Sequence, residues 1–433
     1  MTKKPSHTHH HIDMLSVEDA RDRILQAFTP LESENCSLID SLNRTLAEDL
    51  YSTISIPPFN NSAMDGYALK SKDIVGATPE NPIYLKIIGT ISAGTMPDFS
   101  VMTGFCSRIM TGAPMPDGAD TVIPFEETTE MENDQPIQDL SYIGIKTSAD
   151  IGNYIRQSGK DVTSGDLILN KGSLIKPSSI GLISSIGKLS IKVHRRPQVA
   201  ILSTGNELIE PGQSLVLGKI FDSNTNALIA SVIESGGIPK SLGIVRDDVD
   251  SLTRAINIAK GSDLIITSAG VSKGDYDIVK DVLSSQGKLD FWSVRMRPAK
   301  PLAFGLLDSN KNDSKKIPLI GLPGNPVSAL VAFEQFCRPV IRKMLGRKYK
   351  PRPTVKAILQ DSIENYDSRR VYARVKVWQE NNVYLTKTSG SQGSNILSSM
   401  AYANGLAICP ENETSKNFGD IVDVIMIDWP EEI

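Results

Sequence analysis

The sequence predicts a multidomain α/β protein, and three observations carry that expectation. Apolar runs of strand length alternate with helically spaced ones between residues 194 and 347. Short apolar runs punctuated by Gly, Pro, Asn and Asp fill 56–150, and a strictly alternating hairpin pattern takes over beyond 352. The first pattern implies a mostly parallel, helix-covered sheet, the second strands and turns, and the third a small all-β module closing as a compact barrel. Four parts are therefore expected: a discontinuous scaffold over 14–55 and 151–193, a β-rich insertion over 56–150, an α/β domain over 194–347 and a C-terminal β-barrel over 352–433. A chain of 433 residues suits several domains, because single cores stop growing near about 250–300 residues.

Taken in order, His7, His9, His10 and His11 form a tag-like end whose composition also suits a metal. Ser16-Val17-Glu18-Asp19 then caps a helix with apolar residues at Ala20, Ile24, Leu25, Ala27 and Phe28, ending before Pro30. Strands are expected over 84–91, 106–111 and 121–124, followed by an exposed acidic loop over 126–134. A helix over 178–185 and a strand over 188–193 lead to Arg195-Arg196-Pro197, where the α/β pattern begins. Within it the sequence predicts strands over 199–203, 241–245, 264–267, 291–295, 302–307 and 319–322, and helices over 225–235, 248–260, 277–285 and 327–345. Tyr349 to Pro353 reads as a stiff linker. In the following hairpin Val371, Ala373, Val375 and Val377 face one way and Tyr372, Arg374, Lys376 and Trp378 the other.

Composition narrows the function classes. A net charge of −4 and a pI near 5.9 argue against a general nucleic-acid or anionic-membrane surface, so any anion site has to be focal. Four scattered cysteines without a C-x-x-C pattern indicate neither a zinc knuckle nor a disulfide framework, and no apolar run has membrane length. A cytoplasmic location is expected.

The candidate chemistry lies in loops that follow strands, where open α/β sheets collect their ligands. Ile320 to Ser328 breaks an apolar strand on Gly321, Pro323, Gly324 and Pro326 and re-enters as a helix, a geometry that aims free N–H groups and the helix dipole at an anion. Upstream, Arg295-Met296-Arg297-Pro298-Ala299-Lys300-Pro301 holds three cations on a proline frame. A plain strand-to-helix connection beside a solvated basic loop fits the same residues. Ser203-Thr204-Gly205-Asn206-Glu207 offers a carboxylate for Mg²⁺ or for ligand hydroxyls, or simply a turn. Phe221-Asp222-Ser223-Asn224 reads as an N-cap, as does Arg246-Asp247-Asp248 with the cap at Asp247 or Asp248. Ser268-Ala269-Gly270-Val271-Ser272-Lys273-Gly274-Asp275-Tyr276-Asp277 suits a phosphate loop without being a Walker motif. By physics alone, 57–68 and 110–116 are structural loops.

Taken together and in this order, Phe59 to Ala68, Met110 to Pro114, Ser203 to Leu208, Pro298-Ala299-Lys300-Pro301, Gly321 to Ser328 and Gly390-Ser391-Gln392-Gly393-Ser394 resemble the molybdopterin molybdenumtransferase family, the MoeA and gephyrin E-domain group, across essentially the whole chain after residue 14. The resemblance implies a three-layer molybdopterin-binding α/β domain and insertion of molybdenum from molybdate into adenylylated molybdopterin, releasing AMP. It also implies Asp65, Thr111, Asp161, Glu207, Asp247 and Asp277 as residues of activity; hydrolysis of the adenylyl linkage calls for Mg²⁺, with Glu207, Asp247 and Asp277 as candidates to hold the metal or to orient water. Ser272, Arg297, Lys300, Pro301, Pro323, Gly324, Asn325, Pro326, Ser328, Arg369 and Ser394 are implied as the substrate or oxyanion pocket. The implied partners are a second copy in an elongated homodimer, a molybdopterin adenylyltransferase and recipient molybdoenzymes. Ala269 and Ala299 depart from glycines of the family pattern, and Asn206 from a frequent Asp. Two other readings stand beside this one: a gephyrin-like scaffolding protein, and a nucleotide-binding hydrolase using the α/β domain alone.

Overall fold

The computed structural model describes residues 14–132, 141–268, 287–310 and 313–429; the histidine cluster, Asp134, Ala269, Ser272, Lys273, Asp277 and the helix expected over 277–285 lie outside the described residues. The chain divides into two compact units, one formed by the described parts of 1–34, 43–47 and 192–433, the other by 35–42 and 48–191.

The smaller unit is built on a five-stranded sheet in the order Thr121–Pro124, Gly66–Leu69, Phe105–Ile109, Ile83–Ile91, Tyr142–Ile145, antiparallel except for the pairing of 83–91 with 105–109. Both faces of this sheet are buried. Tyr67, Leu69, Leu85, Cys106, Ile123 and Ile143 fill one side, and Ala68, Ile91, Ile109 and Val122 the other. Short pairings of Leu50–Tyr51 with Leu167–Leu169 and Asn61–Ser62 with Ile155–Arg156, and a helix at Pro177–Ser185, complete the unit. The acidic tract is not the exposed loop that its charge suggests. It folds into 3-10 turns at Phe125–Glu127 and Thr129–Glu132, and Glu130 is buried because it accepts from the Tyr67 hydroxyl at 2.5 Å and from Arg108 Nη2 at 2.8 Å. Arg108 in turn lies over the Phe125 ring at 4.2 Å. A carboxylate satisfied by both a guanidinium and a phenol tolerates burial that an unpaired one does not.

In the larger unit, Ser16 accepts from the Asp19 N–H at 3.0 Å and starts the helix Val17–Gln26, which buries Val17, Ala20 and Ile24 at helical spacing. Six strands form the central sheet in the order Ile238–Val245, Gln198–Thr204, Leu264–Ser268, Asp313–Leu322, Pro301–Asn310, Gly287–Ser293. The first four run parallel and the last two add antiparallel, so the sheet is mostly parallel, with an antiparallel extension at one edge. Of the two cap candidates at 247–248, Asp248 is the cap: its carboxylate accepts from the Ser251 N–H at 2.8 Å ahead of Val249–Ala259. The helix expected over 327–345 is not one regular helix. It runs as Pro326–Ala332, one π-helical turn at Phe333–Cys337, then Arg338–Met344.

Beyond the linker, Arg370–Glu380, Val383–Thr388, Thr354–Leu359, Ile421–Met426 and Gly405–Cys409 pair in sequence, and Gly405–Cys409 pairs back to Arg370–Glu380, closing a five-stranded barrel. The hairpin turns on Asn381 and Asn382 at φ 49° and 64°. Val371, Ala373, Val375 and Val377 point into the barrel as expected. Tyr372 and Arg374, on the opposite face, are also buried, only 2% and 1% exposed. The reason for Tyr372 is that the barrel's outer face packs on the α/β core, where Tyr372 and Leu406 join Val327, Phe336 and Met344. The short strand Met296–Arg297 pairs parallel with the barrel strand at Arg370 and Val371, which ties the basic loop to the barrel.

Candidate functional site

Three parallel strands of the larger unit end on one side of the sheet, at Thr204, Ser268 and Leu322, and Ser268 with the loops after Thr204 and Leu322 meets the basic loop and the barrel around a cleft of about 910 Å³. Of the residues implied from sequence, Glu207, Arg297, Lys300, Pro301, Pro323, Gly324, Asn325, Pro326, Ser328, Arg369 and Ser394 line it together. Asp247 sits in the turn after Ile238–Val245 and is not among the lining residues. Ser272 and Asp277 lie outside the described residues.

The cations of the cleft differ in how free they are. Arg297 donates to the Glu364 carbonyl, stacks over the Tyr366 ring at 4.1 Å and has Asp367 at 3.9 Å, while its Nη1 is buried without a hydrogen bond. Arg369 is held by the Asp367 carboxylate through Nε at 2.9 Å and by the Met296 carbonyl at 3.2 Å. Lys300 is exposed, and its ammonium has no ion pair or hydrogen bond among the described residues. Between them, Ala299 takes a left-handed φ of +74° while 4% exposed. The sequence flags this position as an alanine in place of glycine, and the backbone keeps the glycine-like conformation despite the methyl group. Left-handed backbone costs a non-glycine residue about 1–2 kcal/mol, so Ala299→Gly is expected to raise stability by roughly 1 kcal/mol after the added freedom of the unfolded chain is subtracted. A denaturant midpoint equal to or below that of the wild type would contradict this.

The helix start at Pro326 contributes less than the sequence suggests. Pro326 has no N–H, and the Val327 N–H donates to the Ser394 carbonyl of the barrel at 3.2 Å. The donor character of this wall rests instead on side chains. Asn325 donates to Ser394 Oγ at 3.0 Å, and Ser328 is buried at the cleft surface.

Sequence reasoning missed three contributors. Asn224, read only as part of a cap, donates to Ser268 Oγ at 2.6 Å and to the Gly324 carbonyl at 2.7 Å, tying its helix start to the strand end at Ser268 and the loop at Gly324. Asp222 does the capping, accepting from the Asn224 and Thr225 N–H groups at 3.0 and 3.1 Å. Arg374 is the second: buried, it donates through Nε to Ser399 Oγ at 3.2 Å and through Nη2 to the carbonyls of Ser391 and Gly393 at 3.3 and 3.1 Å, shaping the Gln392-Gly393-Ser394 wall. Burial, with Arg297 nearby, pushes its guanidinium down to about 10. Tyr366, on the rim and 80% exposed, is the third.

Glu207 is the implied carboxylate that reaches the cleft, and it takes no hydrogen bond or ion pair among the described residues. Gly205 has φ +153°, and a Cβ there would come within 2.7 Å of the Glu207 carboxylate oxygens, so a side chain at 205 would displace it. No group of three His, Cys, Asp or Glu side chains converges among the described residues. Asn206 turns its carbonyl to the Lys219 ammonium.

Asp65, Thr111 and Asp161 belong to the smaller unit. Thr111 donates to Asp65 Oδ1 through its N–H at 2.6 Å and its hydroxyl at 2.9 Å; Asp161, also exposed, donates its N–H to the Ile56 carbonyl at 2.9 Å. The two Thr111 donors, backbone first, hold the Asp65 carboxyl below its ordinary 3.8. A depressed carboxyl contributes stability above its unfolded pKa and loses it as pH falls through the folded value, so the window lies below pH 3.8. In Thr111→Val the N–H bond remains and the hydroxyl bond is lost; the Asp65 carboxyl is expected to titrate at higher pH than in the wild type, still under 3.8, when followed by NMR. An unmoved titration would assign the depression to the backbone alone.

Residues 15–187 match the description "MoeA N-terminal region (domain I and II)", 200–343 "Probable molybdopterin binding domain" and 356–427 "MoeA C-terminal region (domain IV)". The chain is 35% identical to a molybdopterin molybdenumtransferase of Nostoc sp., over 99% of this chain and 97% of that protein. This chain belongs to the MoeA family. A molybdopterin molybdenumtransferase of Haemophilus influenzae is 33% identical over 95% of this chain and 98% of its own length. The crystal structure of a molybdopterin biosynthesis MoeA protein from Pyrococcus horikosii superimposes with a TM-score of 0.81 at 31% identity, covering 96% of this chain and all of that one. The family fold, an α/β domain with mainly β N-terminal parts and a C-terminal barrel, is thus the fold seen here. No helix among the described residues is long and apolar enough to cross a membrane.

Proposed function

We propose that this chain acts as a molybdopterin molybdenumtransferase, taking molybdenum from molybdate into the dithiolene of adenylylated molybdopterin with release of AMP. The observation that carries the reading is the convergence of Arg297, Lys300, Ser328, Arg369 and Ser394 on one cleft at the strand ends of a domain matching the molybdopterin-binding description. Molybdate is a tetrahedral dianion, for which ammonium, guanidinium and hydroxyl donors are the fitting ligands, and the substrate brings the sulfurs.

Magnesium fits the donor set in a limited sense: a single unpartnered carboxylate, Glu207, beside a cleft that admits phosphates is the sparse protein contribution Mg²⁺ accepts. Glu207 would hold it, and the ion would supply neutralisation of the phosphates about to separate. The chain's own groups do the rest. Lys300 and Arg297 hold the oxyanion, and the Asn224 amide keeps the loops at Ser268 and Gly324 in register.

The proposal includes a cytoplasmic homodimer in which the smaller unit of one copy, with Asp65, Thr111 and Asp161, completes the cleft of the other, fed by a molybdopterin adenylyltransferase and serving recipient molybdoenzymes. Its support is that these residues lie in a different compact unit from the cleft. Purified protein given adenylylated molybdopterin, molybdate and Mg²⁺ is expected to release AMP in a molybdate-dependent manner. AMP release indifferent to molybdate would point to a hydrolase instead. Mixing Asp65→Asn with Glu207→Gln protein should restore part of the activity that each lacks, and no restoration would remove the shared cleft.

A further inference from the structure

One wall of the cleft is apolar and, among the described residues, has no protein cover. Leu208–Ile209 and Ile220–Phe221 pair as a parallel ribbon, and Leu208, Ile220 and Phe221 line the cleft. Ile220 and Phe221 are 56% and 43% exposed, and the ribbon's connecting loop adds Leu215 and Val216 at 62% and 59%. Contiguous exposed apolar groups bordering a polar cavity mark a binding surface. Phe221 is also well fixed: the Ile220 N–H donates to the Glu207 carbonyl and the Asp222 N–H to the Ile209 carbonyl, both at 2.9 Å, while Asp222 is locked into the cap of the next helix. A rigid aromatic side chain binds a flat partner at low entropic cost. The other aromatic lining the cleft among the described residues, Tyr366, already gives one face to Arg297.

We propose that the Leu208–Ile220–Phe221 wall is the stacking platform for the planar pterin of the substrate, a role that rests on the function proposed above. The dithiolene that receives the metal is borne on a ring fused to the pterin, so sulfurs held at Arg297 and Lys300 keep the pterin inside the same cavity. The adenine is carried farther away, beyond two phosphates. Cations thus handle the oxyanion and the ribbon handles the ring system.

The test uses the full-length protein and three probes: pterin-6-carboxylate, read by quenching of its own fluorescence, AMP and molybdate. Phe221→Ala is expected to weaken pterin binding roughly tenfold or more, in keeping with base–aromatic stacking energies, while Phe221→Trp retains it and molybdate affinity stays within twofold in both. Unchanged molybdate binding certifies that the cleft is folded. Wild-type protein that does not bind the pterin, or Phe221→Ala that binds it as the wild type does, overturns the platform. Loss of AMP binding with pterin binding intact overturns it in favour of adenine. The functional reading is judged separately by molybdate-dependent AMP release in the wild type; release with an unaltered KM in Phe221→Ala would sink the platform and leave that reading standing.

Discussion

Arg374→Met is expected to lower molybdate affinity on the order of 100-fold, equivalent to about 2.7 kcal/mol, while leaving a folded barrel. The side chain is 1% exposed, and among the described residues no carboxylate is hydrogen-bonded to its guanidinium; its hydrogen bonds go to Ser391 and Gly393 carbonyls and Ser399 Oγ. Truncation leaves those acceptors without donors, at about 1–3 kcal/mol for each that stays dry, so the loop will shift to regain water. Removal of a buried cation also ends a desolvation cost, which is why the barrel itself should survive the change. The loss therefore concentrates in the Gln392-Gly393-Ser394 wall. Gln392 accepts from the Arg374 N–H at 2.8 Å and donates to its carbonyl at 3.1 Å, a double clamp that Met leaves intact and that keeps the loop attached to the strand while Ser391 and Gly393 shift. Arg374→Lys keeps the charge without the fork and should fall between the two. Calorimetric titration of molybdate, with circular dichroism as the folding control, decides the matter. Affinity within twofold of the wild type in a folded Arg374→Met protein would mean that the loop holds its shape without it.

Arg374 also shows where the sequence is legible and where it is not. The barrel strand could be read from Val371, Ala373, Val375 and Val377, because period-two alternation is a local property of the backbone. That its other face is also buried depends on packing against Val327 and Phe336, more than thirty residues away in sequence, and no local pattern records it. The acidic tract failed in the same way: charge suggests solvent, yet Glu130 is satisfied by Tyr67 and Arg108 from separate strands. The site divides along the same line. Loop residues announced by Gly and Pro, from Arg297 to Pro301 and from Pro323 to Ser328, were found because turn chemistry and strand ends are visible in the text. Asn224 looked like a cap because its bonds to Ser268 and Gly324 exist only once three strands are parallel. Asp247 was implied by resemblance, and its place in the turn after Ile238–Val245 keeps it off the cleft wall of this unit.

Lys300→Ala is expected to cost 10- to 150-fold in molybdate affinity, the span of about 1.5–3 kcal/mol for a hydrogen bond to a charged partner. What singles out Lys300 is its freedom. Arg297 divides its guanidinium among Glu364, Tyr366 and Asp367, and Arg369 is tied to Asp367 and Met296, so both are positioned at the expense of donors left for a ligand. Lys300 has a fixed backbone, its carbonyl accepting from the Val294 N–H at 2.8 Å, and an exposed ammonium with no partner among the described residues. Among the described residues, nothing competes with an oxyanion for its three N–H donors. Exposure also makes the contribution salt-sensitive, because a surface charge is screened over about 10 Å at 0.1 M ionic strength. The gap between wild type and Lys300→Ala should narrow as salt rises, whereas the deficit of Arg374→Met, from a buried group, should persist. Lys300→Arg should restore the charge and most of the affinity. Equal salt dependence in the two alanine and methionine variants, or a Lys300→Ala affinity within twofold of the wild type, would move the oxyanion away from the Arg297–Lys300 loop and toward the strand-end loops at Ser268 and Gly324.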